Sequence, residues 1–170
     1  AKEIAAGLDK PLIVQYVVWL WQLLQGNLGY SMKSYEPVGV MIGSHIGPTL
    51  LLMGASLALS LLIAVPAGIY SAVKQYSKGD YAVVTVSFIG SSIPSFFLAL
   101  ILIYIFTVKL GILPSGGMNT LGMDGSVADT IRHMVLPVTV LAVSLAGSNI
   151  RYIRSSFLEI LQQDYLRTCL

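Results

Sequence analysis

Charge is what this sequence has least of. Of its 170 residues, ten are Lys or Arg and eight are Asp or Glu, which makes the charged fraction 11%, against roughly 25% in soluble domains. Among the stretches that hold no charged residue are residues 37–73, 81–108 and 133–150. One Arg or Asp at the centre of a bilayer costs about 2.5–3.5 kcal/mol on insertion scales, so long charge-free apolar runs are what a spanning helix requires. With 55% hydrophobic residues and a mean hydropathy of +0.78, a soluble domain could not hide this much apolar surface. The pattern implies a membrane protein.

Other absences narrow the class. A single cysteine, Cys169, excludes an internal disulfide and any cysteine-built metal site. The net charge of +2 is small, and the Lys and Arg residues lie near the ends of the apolar runs rather than in one patch, which excludes nucleic acid as a partner. Carriers driven by proton or sodium gradients usually keep acidic or basic side chains inside the bilayer, and none lies within residues 46–70, 83–108 or 134–150. No G-x-x-x-x-G-K-[ST] phosphate cradle occurs, so the energy for any pumping must come from a partner. An intramembrane enzyme needs a nucleophile with a base, or metal ligands. The two histidines, His45 and His133, sit at the edges of the runs and form no H-E-x-x-H pair. Ser91, Ser92 and Ser95 have no base in sequence reach and read as backbone hydrogen-bonders. No catalytic residue, cofactor or metal is expected.

What is present sets the architecture: an all-α membrane protein. The spacing predicts spans over residues 46–70, 83–108 and 134–150. The first would reach roughly 37 Å at ~1.5 Å per residue, enough for a ~30 Å hydrocarbon core. The last is short and continues helically toward Arg151 and Arg154, which read as anchors snorkelling at the membrane edge. Because Lys and Arg are retained on the cytoplasmic side, Lys74 and Lys78 place the connection 71–80 there, and Arg151, Arg154 and Arg167 do the same for 151–170. The connection 109–132, with Pro114, Gly116, Gly117, Gly122 and Gly125, reads as an external loop. Three spans then put the N-terminus of the segment outside and its C-terminus in the cytoplasm. The organisation expected is an external segment 1–45, a three-span core 46–150 and a cytoplasmic stretch 151–170.

Within 1–45, residues 11–25 are apolar but interrupted by Gln15, Gln22 and Gln25, which share one stripe at about 100° per residue. With Tyr16, Trp19 and Trp21 around the rest, the segment reads as a helix lying in the interface, and a fourth full span is the alternative. Asp9 before Pro11 is its expected start, and Gly26-Asn27-Leu28-Gly29 its stop. Gly39, Gly43 and Gly47 form a double G-x-x-x-G, though Pro48 makes a turn leading into the first span the plainer reading. Pro66, Pro94 and Pro137 each fall inside a span, where each removes a backbone donor and bends the helix. In lipid the freed carbonyls must be satisfied by hydroxyls, neighbouring helices or a water-filled cavity. Ser92, Pro94, Ser95 and Pro137 are therefore the candidate kink or pathway residues, a packing kink being the plain alternative.

At this point the residues show a likeness. The order Leu8-Asp9-Lys10-Pro11-Leu12, Gln25-Gly26-Asn27-Leu28-Gly29-Tyr30-Ser31, Ser92-Ile93-Pro94-Ser95-Phe96, Leu113-Pro114 and Glu159-Ile160-Leu161-Gln162-Gln163-Asp164-Tyr165-Leu166-Arg167-Thr168 resembles the permease subunit of binding-protein-dependent ABC importers, in the dipeptide, oligopeptide and nickel branch. Such permeases have six spans and a cytoplasmic coupling helix between the fourth and fifth. The resemblance implies a type I importer bundle in which these spans are the second, third and fourth, so that the bundle is incomplete. It implies that Asp164, Tyr165, Arg167 and Thr168 begin the ATPase-docking motif, which departs from the family pattern at Cys169 and Leu170. It implies as partners a second permease subunit, two ATPase subunits and an extracytoplasmic solute-binding protein, in the bilayer of a prokaryotic cytoplasmic (inner) membrane. The function expected is transport of peptides or similar small solutes without enzymatic chemistry in this chain. The alternative is a truncated structural or interaction membrane protein without transport.

Overall fold

The computed structural model describes residues 11–120, 122, 126–161 and 163. Asp9, Cys169 and the four expected coupling residues, Asp164, Tyr165, Arg167 and Thr168, lie outside the described residues. The chain folds as two compact units, Ala1–Thr49 and Leu50–Leu170. The described residues are almost wholly helical and contain no strand beyond one isolated bridge.

In the first unit, helix α1 spans Leu12–Leu24. Pro11, whose φ of −53° is fixed by its ring, precedes the first turn, and Gly26 at φ +82° ends it, a conformation that suits glycine. No residue of α1 is buried. Thirteen residues make about 20 Å of helix, short of a ~30 Å core. The chain then turns: Asn27 Oδ1 accepts from the Gly29 amide, Ser31 Oγ accepts from the amides of Lys33 and Ser34, and a bridge joins Tyr30 to Pro37. Helix α2, Val38–Val73, begins directly afterwards. Residues 39–48 are thus helical, not a turn, and no atom lies within 4 Å of where a Cβ would stand on Gly43 or Gly47.

The second unit contains the rest of α2, then α3 (Lys78–Ser92), α4 (Ser95–Leu102), a π-helical segment (Ile103–Lys109) and α5 (Val127–Leu161). Among the described residues two helices, α2 and α5, are long and apolar enough to cross a membrane, and the pair from Lys78 to Lys109 would make a third span if counted as one. That pair is not a straight helix. Its two limbs meet at 93°.

Pro94 explains the break. It donates no hydrogen bond, and Ile93 before it takes an extended conformation, φ −73° and ψ 122°, because the proline ring disfavours the α region for its predecessor. Pro66 and Pro137 are also internal, yet α2 and α5 continue through them. The residues upstream differ: Gly90-Ser91-Ser92 are weaker helix formers than Ile63-Ala64-Val65 or Met134-Val135-Leu136.

The buried face of α2 is built from small residues: Ser56, Ser60, Ala64 and Gly68, one every four residues, followed by Ser71 and Ala72. On α5, Asp129, His133, Leu136 and Val140 recur at three- and four-residue intervals, and the small residues Ala146 and Gly147, with Ile150, continue the buried stripe. Small side chains let helix backbones approach where the hydrophobic effect gives no drive. A Cβ on Gly147 would stand 2.5 Å from the Ser87 carbonyl oxygen, and one on Gly68 would stand 2.8 Å from Ile153 Cγ2. Helix α5 therefore packs closely on both α2 and α3.

Candidate functional site: a bent helix pair held by two arginines

Helix α5 touches both limbs of the bent pair. Toward its N-terminal half it faces α4 across a cavity of about 490 Å³. Ser95, Phe96 and Ala99 of α4 line one wall and His133, Pro137 and Leu141 of α5 the other, with Gly116 and Gly117 of the following loop at the margin. The cavity thus brings together Ser95 and Pro137, two of the four candidate kink or pathway residues. Ser92 and Pro94 do not line it; Ser92 ends α3 and Pro94 precedes α4.

A smaller, more polar cavity of about 260 Å³ adjoins it through Pro114 and His133, and includes Thr120, Asp129 and Arg132. Here the loop is tied to the start of α5. The Thr120 amide donates to Asp129 Oδ2 at 2.6 Å and the Thr120 hydroxyl to Oδ1 at 2.9 Å, while the Thr130 hydroxyl donates to Asn119 Oδ1 at 2.6 Å. The imidazole Nδ1 of His133 lies 2.9 Å from the Asp129 carbonyl oxygen.

At the other end, α5 grips α3 with charge. Arg154 presents a fork to Asp80, with Nε 2.9 Å from Oδ1 and Nη2 3.0 Å from Oδ2. Asp80 is almost fully buried, its side chain 4% exposed against 24% for Arg154. The remaining capacity of that carboxylate is filled by the Ser71 hydroxyl of α2 and by the Tyr76 amide at 3.0 Å. Arg154 Nε also donates to Ser71 Oγ at 3.0 Å. The turn that delivers Asp80 is closed locally, since Ser77 caps α3 by accepting from the Asp80 amide at 3.1 Å. Three helix ends therefore meet on one carboxylate. Removing one partner of such a buried pair costs about 3–5 kcal/mol, because the other charge is left without compensation.

Arg151, one turn before Arg154, takes hold of the far part of α3. Its Nη1 donates to the Ser87 carbonyl at 3.3 Å and to Ser91 Oγ at 3.0 Å, and its guanidinium carbon lies 4.9 Å from the centre of the Phe88 ring, within cation–π range. Both arginines are thus engaged on protein, whereas from their position beside an apolar run they read as membrane-edge anchors. Nothing in the sequence pairs Arg154 with an acid 74 positions away. The one local signal is that Asp80 is the sole acidic residue between two charge-free runs.

The arrangement can hold and re-aim helices. Residues 64–169 match the family described as binding-protein-dependent transport system inner membrane component. Over 163 residues, 95% of this chain, it is 50% identical to a putative peptide permease protein of Brucella ovis and 44% identical to the oligopeptide transport system permease protein AppB of Bacillus subtilis. It is 36% identical over 162 residues to the glutathione transport system permease protein GsiC of Escherichia coli. The chain spans about half the length of these curated relatives, 51%, 52% and 50% respectively. The chain belongs to the binding-protein-dependent transport system inner membrane components, the membrane-embedded permeases of ABC importers, and the relatives it matches lie in their peptide and oligopeptide branch.

Proposed function

We propose that this chain forms part of the permease subunit of an ATP-driven importer of peptides or similar small solutes, contributing helices to the translocation pathway while separate ATPase subunits supply the energy. The observation that carries the reading is the reach of the match, nearly the whole chain, to proteins named as peptide, oligopeptide and glutathione permeases. The geometry supports it: a sharply bent helix pair against one long helix, with a cavity between them lined by Ser95 and Pro137, is a wall that can open and close without chemistry.

In this reading the Lys74 and Lys78 connection and the end of α5 face the cytoplasm of a prokaryotic cell, in its inner membrane. The loop after the π-helical segment and the interfacial helix α1 lie outside, where an extracytoplasmic solute-binding protein delivers cargo. Asp164, Tyr165, Arg167 and Thr168 begin the surface that docks on an ATPase subunit, and a second permease subunit and a second ATPase complete the assembly. ATP binding closes the ATPase pair, and the coupling segment carries that motion into the membrane as a rigid body.

The test is reconstitution of the full-length subunit with its partners in proteoliposomes, measuring uptake of a labelled peptide. Uptake that requires ATP and the binding protein is expected; peptide uptake without any ATPase subunit overturns the proposal. A cysteine at Tyr165 is expected to cross-link to the ATPase in a nucleotide-dependent manner, and a cross-link indifferent to nucleotide would sink the coupling assignment.

A further inference from the structure

We infer that Arg151 and Arg154 are positioning residues that make α3 travel with the end of α5, so that displacement arriving from the ATPase side is delivered as a change of angle at the break between Ile93 and Pro94. The inference rests on the reading of residues 164–168 as the coupling segment.

Arg154 stands ten residues before Asp164 on the same stretch of chain, so whatever moves the coupling segment acts first on this part of α5. The contact it makes there is directional. A guanidinium fork on a carboxylate, with Nε at 2.9 Å and Nη2 at 3.0 Å, fixes orientation as well as distance. It engages the first turn of α3, while Arg151 engages Ser87 and Ser91 near the last. Held at both ends, α3 cannot slide or rotate on α5 without breaking charge-assisted bonds.

Compliance is then concentrated at the break. Pro94 has no amide to donate and Ile93 is extended, so the helical ladder is interrupted there and a change of angle breaks few bonds. Beyond the break, α4 forms one wall of the 490 Å³ cavity and α5 the other. A tilt of α3 with α5 re-aims α4 and reshapes that cavity. Adhesion alone does not need the arginines, since Gly147 against Ser87 and Gly90 against Val143 already pack the two helices. Exchanging both members of a buried ion pair for well-packed apolar residues is often neutral in stability, so geometry is what the pair supplies.

The experiment uses the full-length subunit assembled with its partners in proteoliposomes, and reads peptide taken up per ATP hydrolysed. The variants are Arg154→Met, Arg154→Lys and the exchange Asp80→Arg with Arg154→Asp. Arg154→Met is expected to keep basal ATP hydrolysis while uptake per ATP falls by about tenfold or more. Arg154→Lys, which keeps the charge and loses the fork, should fall between, and the exchange should recover part of the loss. An unchanged ratio in Arg154→Lys and Arg154→Met overturns the inference, as does a fall in uptake and hydrolysis together that tracks loss of assembled complex. Should the unaltered complex hydrolyse ATP yet take up no peptide, the transport reading fails and the clamp is read by spin labels at Tyr81 and Tyr152, both exposed. Their separation should stay constant on ATP binding and change in Arg154→Met; a separation that changes equally in both overturns the clamp.

Discussion

Replacing Gly147 with alanine tests the close approach of α3 and α5 directly. The added methyl carbon would stand 2.5 Å from the Ser87 carbonyl oxygen and 3.2 Å from both Cβ and the amide nitrogen of Ser91. A carbon-to-oxygen contact settles at about 3.3 Å, so the overlap is about 0.8 Å. It cannot be relieved by a rotamer change, because the obstructing atom is backbone. The helices must separate, and overpacking of this kind costs about 1–3 kcal/mol. Alanine is also a better helix former than glycine by about 1 kcal/mol, which masks part of that cost. The difference between two sites removes the mask. Gly54 on α2 has no atom within 4 Å of its would-be Cβ, so Gly54→Ala carries the propensity gain alone. Thermal unfolding of the detergent-solubilised full-length protein should therefore place Gly147→Ala below Gly54→Ala by about 1–3 kcal/mol. Equal stabilities would mean that the two helices do not lie this close, and the packing argument would fail with them.

The bend yields a geometric prediction. Pro94→Ala restores an amide at the break and should partly straighten the pair, lengthening the distance between spin labels at Tyr81 and Tyr104 toward a limit of roughly 10 Å, the gain that helix rise gives for complete straightening; an unchanged distance would mean that packing on α5, not the proline, sets the angle. Asn149→Leu removes the bond from Asn149 Nδ2 to Ser60 Oγ at 3.1 Å, and the loss should be near 0.6 kcal/mol, typical of interhelical bonds in membranes, so a destabilisation of several kcal/mol would point to a larger network. For orientation, single cysteines at Gln75 and Met118, both exposed, should be labelled by an impermeant reagent only from the cytoplasmic side and only from outside, respectively. The reverse pattern would invert the topology argued from Lys74 and Lys78.

How legible this was in the sequence depends on what each feature needs for its expression. The membrane class and the rough positions of the helices needed only the distribution of 18 charged residues, because bilayer insertion reads composition along one dimension. The proline at residue 94 was visible too, and with it a bend. The 93° angle was not, since a proline permits a range of geometries and packing on α5 selects one. Helix α2 starts at Val38, ahead of the span expected from residue 46, because three glycines and Pro48 mimic a turn when propensity is summed without context. The π-helical segment at Ile103–Lys109 has no sequence signature that we can identify. The arginine clamp was the least legible: from the sequence an arginine beside an apolar run is an anchor, and only three dimensions bring it to a carboxylate 74 residues away.

The placement of polarity along α5 explains why the clamp stands where it does. Inside the apolar stretches the hydroxyls largely satisfy themselves on their own helices: Ser56 donates to Leu52, Ser87 to Val84, Thr139 to Val135 and Ser144 to Val140. Such bonds use each hydroxyl's one proton on its own helix, so these side chains donate nothing to a neighbouring helix. Asn149 with Ser60 is a rare exception among the described residues. Register must then come from beyond the hydrocarbon, where a charged pair can form without paying the full cost of a low dielectric medium. Asp80 with Arg154 does this at one end of α5, while at the other the Asp129 carboxylate accepts from the amide and hydroxyl of Thr120 and so ties down the preceding loop. The wall thus has fixed ends and a middle whose hydroxyl protons stay on their own helices. What it can do is tilt, and the break before Pro94 is where a tilt bends the wall with the fewest bonds lost.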